Sequence, residues 1–310
     1  MQPKINWVEN LKAFAILSVI LGHLASPFSA FIYSWHIPLF FILAGFFIKF
    51  DLPIKDFILK DFKKLMIPYF IFALFGLVVE IIKRIALHRE PLDYMQELKG
   101  ILIWMDITSL QNTYAFVLWF LPALFFARVF LFVINKYIKN LFIQPAVIFF
   151  LFIFSFYAEL PFGVDNGLNA ILFLFAGSLF FRFYQDNRFL YFLPFMLVGL
   201  YILFGVPSLD VASKSYGNIL VNLLWAVSMS YIFFFVFKKL NFEINILSIW
   251  GGNAMLLFIT HPYTNNIAHI AAVKINFGDW YLKLFISLLL LQIIIFIKQR
   301  FIGRGVFNYV

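Results

Sequence analysis

The sequence predicts an all-α fold: a polytopic membrane helix bundle of about ten transmembrane helices with no soluble domain. Three observations predict it. Hydrophobic residues make up 64% of the 310, charged residues only 13%, and the mean hydropathy is +0.94, far more apolar surface than a soluble core needs. Apolar runs of about twenty residues recur along the whole chain, each bounded by charged or turn residues. Lys and Arg alternate in density between successive runs, as they do when cytoplasmic loops retain the positive charge.

In order, the runs cover 11–30, 34–49, 65–82, 114–134, 142–158, 168–184, 188–204, 218–237, 252–272 and 282–301. With the N-terminus inside, only Lys83, Arg84, Arg89, Lys99, Lys214, Lys274 and Lys283 fall outside, 7 of the 24 Lys and Arg. An even number of spans with both termini cytoplasmic fits that bias. The longest outer segment, 83–113, mixes charges and carries Trp104 and Met105; it reads as an interfacial helix over the outer mouth or as a solvated loop. Repeats and low-complexity segments are not evident, so residues 1–310 read as one transmembrane domain.

The net charge of +9 points to anionic lipid headgroups and cytoplasmic loops. Nucleic acid is a poor partner for it, because the cations are scattered between apolar runs. The chain has no cysteine, hence no disulfide framework, thiol nucleophile or Cys-ligated zinc. The first apolar run lacks a small-residue cleavage site, so no cleavable signal peptide is expected. A Walker loop, HExxH, His/Cys metal spacing and a GxSxG elbow are all missing, and no metal is expected.

Chemistry concentrates in Trp7 to Phe47, WVENLKAFAILSVILGHLASPFSAFIYSWHIPLFFILAGFF. An ionisable group in a span needs a partner, a wet cavity or a task. Lys12 and His23 are eleven residues apart, about 16 Å along one helix face. If Lys12 marks the membrane edge, His23 lies near mid-membrane. An imidazole titrating near neutrality suits removal of a hydroxyl proton; its other reading is a buried histidine satisfied by a neighbouring helix. His36 opens the second run beside Trp35, either as part of an aromatic belt or as a site residue. Lys60, Lys63 and Lys64 share one helix face, serving as topology signals or as an anion site. Arg128 either snorkels or meets a phosphate. His261 precedes Pro262, which frees a backbone carbonyl and suits a bend or cavity wall.

The order ENLK, VILGH and WHIPLFFILAGFF resembles the opening of the acyltransferase 3 family, fucose 4-O-acetylase-like integral-membrane enzymes. They move acyl groups, usually acetyl from acetyl-CoA, onto sugars of envelope glycans. Ile37 and Ala44 stand where the family more often has Met and Ser. The resemblance implies catalytic roles for His23 and His36, and CoA phosphates on Lys12, Lys60, Lys63 and Arg128. Lys60 and Lys63 occupy the place of a family RxxR pair. Trp119 with Phe120 resembles the family's WF helix, and Gly177 with Arg182 its sixth span. Asn253 followed by His261 resembles a late Asn-then-His segment and implies contact with the substrate. The expected function is O-acyl transfer from cytoplasmic acyl-CoA to a glycan hydroxyl at a bacterial inner membrane. A transporter or flippase for a lipid-linked sugar or small metabolite accounts for the spans and buried ionisable groups as well. A non-catalytic partner of an envelope-polymer assembly is a third reading.

Overall fold

A computed structural model describes residues 5–183, 192–276 and 278–301. Helices dominate it, and six are long and apolar enough to cross a membrane: Ser29–Phe46, Ile54–Ala86, Tyr114–Tyr137, Pro161–Phe180, Ile219–Leu240 and Trp280–Arg300. Shorter apolar helices cover Ile143–Phe154 and Leu193–Phe204. Every apolar run read from the sequence contains a helix. The start of the run 188–204, the end of 168–184, Lys4, Arg188 and Arg304 lie outside the described residues.

The first run differs from expectation. A single span over 11–30 is replaced by α1 (Asn6–Gly22), a turn, and the short α2 (Ser29–Tyr33). The helix stops because Ala25 adopts the left-handed region, φ 53°, and Pro27 follows. His23 is therefore the C-cap of α1, not the middle of a longer helix. After α2, α3 (His36–Phe46) places Pro38 in its first turn, where a missing N–H costs nothing.

The third run begins earlier than expected. It comprises α4 (Ile54–Asp61), one π turn over Phe62–Met66, and α5 (Ile67–Ala86). The outer segment is mostly helical: α6 (Tyr94–Lys99), a π turn over Gly100–Trp104, and α7 (Ile107–Leu110). It is anchored by Ile101, fully buried, whose carbonyl accepts the Tyr69 hydroxyl at 2.9 Å. A 3-10 turn over Tyr114–Trp119 then leads into α8 (Phe120–Tyr137).

The second half of the chain holds α9 (Ile143–Phe154), α10 (Val164–Phe183), α11 (Leu193–Phe204), α12 (Ile219–Leu240), α13 (Asn245–Gly252), α14 (Ala254–Lys274) and α15 (Trp280–Arg300). A two-stranded antiparallel hairpin, β1 (Leu209–Asp210) with β2 (Ser215–Tyr216), pairs Leu209 with Tyr216. Lys214 at its tip reaches down to the Ser155 and Ala158 carbonyls and to Asp165, fixing the hairpin to the bundle.

α1 is the central post, packed on α2, α3, α12, α13 and α14, with Leu11, Ala13, Ala15, Ile16 and Ile20 fully buried. α15 is peripheral: only Ser287, Leu291 and Ile295 are buried, while Phe285, Leu289, Ile293 and Phe296 are exposed, as suits a lipid-facing side. Two glycines set the α3–α10 crossing. A Cβ on Gly45 would lie 1.9 Å from the Leu174 carbonyl oxygen, and one on Gly177 would lie 1.9 Å from that of Ile42. The two backbones approach because neither residue has a side chain.

Gly177→Ala should force α3 and α10 apart and lower the thermal unfolding midpoint of the detergent-purified protein. Gly199→Ala on α11, where nothing lies within 4 Å of the added carbon, should leave the midpoint unchanged or slightly raised. Equal midpoints for the two variants would remove the crossing argument.

Candidate active site

The end of α1 is built around its last carbonyl. Gly22 O accepts hydrogen bonds from the Ser29 hydroxyl at 2.9 Å and the Tyr33 hydroxyl at 3.0 Å, so α2 satisfies a helix end that the apolar bundle would otherwise leave bare. The Tyr33 proton is committed to Gly22, so its oxygen accepts from His23 Nδ1 at 3.4 Å. His23 Nε2 is then the lone-pair nitrogen.

Two further histidines adopt the same protonation pattern. His36 Nδ1 donates to the Ile32 carbonyl at 2.8 Å, and His261 Nδ1 donates to the Phe258 carbonyl at 2.7 Å. The second carbonyl is free because Pro262, four residues on, has no N–H to give it. A carbonyl can only accept, so each ring carries its proton on Nδ1 and exposes a lone pair on Nε2. The His23 and His261 rings are 5.2 Å apart, and Tyr33 stands 5.2 Å from His36. His23 thus links two neighbours, Tyr33 with His36 on one side and His261 on the other.

A cavity of about 540 Å³ opens beside them. His23, Tyr33, His36 and Trp119 form one wall, and the loop Val206–Ala212 leading through β1 forms the other. Asn166 Nδ2 donates to the Ala212 carbonyl at 2.9 Å and Tyr216 donates to Asn169 at 2.7 Å, which hold the loop in place. A smaller cavity borders His23 on its other side, against His261.

A third cavity, of about 560 Å³, lies at the opposite end of α1 and contains Lys12, Lys64 and Arg128. Arg128 holds Asp61 through Nε at 2.6 Å and Nη2 at 3.3 Å, and its Nη1 donates to the Ala44 carbonyl at 3.2 Å. Lys12 pairs with Glu9 at 3.0 Å. Lys64 makes no ion pair among the described residues. Phe120 and Phe258 line this cavity with ring centroids 5.2 Å apart, and Phe258 also touches His261, 5.8 Å between centroids. One layer of phenyl rings therefore separates the cations from the histidines.

Two of the predicted positions fall elsewhere. Lys60 and Lys63 lie outside the cation cavity, whereas Lys64, exposed like them, is part of its lining. The π turn over Phe62–Met66 adds a residue and rotates the helix face, which sets Lys64 at the cavity wall instead. Asn253 occupies the break between α13 and α14, donating to the Ile249 carbonyl and accepting from Lys298, both at 2.7 Å; it is not among the histidines. Tyr33 and the loop Val206–Ala212 were not singled out in the sequence. Tyr33 had one signal available, a hydroxyl three residues before His36 in a turn too short to span anything.

A family model described as an acyltransferase domain matches residues 5–300. The chain belongs to the acyltransferase 3 family. Comparison with curated proteins and with solved structures returns no match. Membership makes this multi-pass helical protein a membrane acyltransferase, the reading set ahead of the transporter and assembly-partner alternatives. A family member must bring an acyl donor and an acceptor together, and cavities at both ends of α1 provide two places to start from.

Arg128 and Asp61 form a buried pair, their side chains 18% and 3% exposed. Arg128→Leu should destabilise the protein by about 3–5 kcal/mol, because Asp61 is left charged and uncompensated. Adding Asp61→Leu should recover most of that loss in the same thermal unfolding measurement. A double variant no more stable than the single one would mean the pair does not carry the cost.

Proposed function

We propose that this protein transfers an acyl group, most simply acetyl, from cytoplasmic acyl-CoA to a hydroxyl of an envelope or surface glycan. In this reading ten helices span a bacterial inner membrane with both termini cytoplasmic. The 17-to-7 division of Lys and Arg and the helix found in each apolar run support that topology. The observation that carries the function is the polarity of α1. Lys12, beside Lys64 and Arg128, stands in its N-terminal half, and His23, near His36 and His261, caps its C-terminal end about 16 Å away.

CoA phosphates suit the cation cavity. Lys64 supplies an ammonium with no competing carboxylate of its own, while Lys12 and Arg128 would share theirs with Glu9 and Asp61. The acyl-bearing arm would pass between Phe120 and Phe258 toward His23. There the acceptor hydroxyl gives its proton to His23 Nε2 as its oxygen attacks the thioester carbonyl. The C–S bond then breaks, and the departing thiolate takes the proton from the imidazolium, leaving an ester and free CoA. Tyr33, which accepts from His23 Nδ1, holds the ring in the required tautomer. Trp119 and the Val206–Ala212 loop would bound the acceptor sugar.

His23→Asn should lower transfer of labelled acetyl from acetyl-CoA to bacterial glycan by a factor on the order of 10² or more, while expression and unfolding midpoint hold. Near-normal transfer would hand the base role to another of the three histidines. Lys64→Gln should weaken CoA binding about tenfold at low salt, since phosphate recognition is charge-assisted, whereas Lys60→Gln should not. The reverse ranking would move the donor site to the exposed lysines.

A further inference from the structure

The smaller cavity beside His23, about 360 Å³, has no part in the scheme above. It is lined by His23 and His261, and by Asn266, His269 and Lys283, the last two on the outward half of α14 and the first turn of α15. Its wall is graded in chemistry. At His261 the Nε2 lone pair is buried and meets no donor among the described residues, so it offers an acceptor to a hydroxyl. Asn266 uses its Oδ1 to accept the Tyr114 hydroxyl at 3.0 Å, which leaves its amide nitrogen to donate.

Cations come next. The Lys283 ammonium makes no ion pair among the described residues. Asp279, one turn earlier, is occupied by the Tyr281 hydroxyl at 2.6 Å. No Asp or Glu lines the cavity. Lys83, over the Tyr114 ring at 4.7 Å, is already neutralised by Glu80. A half-exposed, uncompensated ammonium beside a histidine and an amide donor is a setting for an anion.

We propose that this cavity binds an anionic carbohydrate, a sugar bearing a phosphate or carboxylate. Its charge would sit at Lys283 and His269, and its hydroxyls would face Asn266 and His261. The inference rests on the acceptor role given to His23, which borders both cavities and would meet a hydroxyl of the same sugar. The anionic group belongs either to a soluble glycan or to the phosphate of a lipid-linked sugar.

Calorimetric titration of the purified, detergent-solubilised protein without CoA tests this. The probes are glucose, glucuronate, glucose 6-phosphate and a short-chain polyprenyl phosphoglucose. Charged sugars should bind about tenfold more tightly than glucose at low salt, and the preference should shrink as salt rises. Lys283→Gln should abolish the preference while keeping glucose affinity and the unfolding midpoint, and Lys283→Arg should retain it. Preference confined to the polyprenyl probe assigns the site to lipid phosphate; preference for the soluble acids assigns it to glycan charge. Equal affinity for glucose and the charged sugars overturns the proposal. So does a preference that survives Lys283→Gln and disappears in Lys64→Ala, which would place the anion at the other end of α1. The titration contains no acyl donor, so absence of acetyl transfer in a separate acetyl-CoA assay, with the sugar preference intact, would refute the acyl-transfer scheme alone.

Discussion

The end of α1 has to be satisfied within an apolar bundle, and the rest of the site depends on how that is done. A helix that stops leaves carbonyls without partners, and hydrocarbon offers none. Here the Gly22 carbonyl is met by two hydroxyls, from Ser29 and Tyr33. That pair fixes α2 against the helix end and commits the Tyr33 proton. The commitment in turn decides which nitrogen of His23 carries hydrogen. A backbone requirement thereby becomes a chemical one. The same logic recurs at Pro262, where a missing N–H frees the Phe258 carbonyl and the carbonyl sets the tautomer of His261.

The helical membrane fold was legible because hydropathy at twenty-residue spacing and cation asymmetry are coarse signals that local detail does not erase. His23, His36 and His261 were visible for a related reason: an imidazole in an apolar run is conspicuous. Helix breaks were less visible. Pro27 is the one trace of the first break, and it sits inside an apolar run, so 11–30 reads as a single span. The π turn over Phe62–Met66 leaves no compositional trace and shifts the helical phase, so that Lys64 lines the cation cavity and Lys60 and Lys63 do not. Tyr33 and the Val206–Ala212 wall escaped because they matter through contacts between segments remote in sequence, which periodicity does not encode.

Charge in the bundle is managed by two contrasting devices. Arg128 is held by Asp61 of α4 and the Ala44 carbonyl of α3, an arrangement that ties α8 to both helices and leaves the guanidinium only partly available to a guest. Lys64 and Lys283 line cavities and make no ion pair among the described residues. Buried cations with partners are architecture; those facing open volume are available to ligands.

The layer of phenyl rings between the two ends of α1 has a consequence for the cell. Phe120 and Phe258 touch each other, and Phe258 touches His261, so apolar rings stand between the cation cavity and the histidines. An embedded catalyst whose two mouths joined through a continuous aqueous column would leak protons and short-circuit the voltage across its membrane. A plug of aromatic side chains resists ion passage strongly, since a bare charge in hydrocarbon is very costly, yet side chains can rotate aside for a slender neutral chain. In the proposed scheme the same rings that would divide the reactants would also act as electrical insulation.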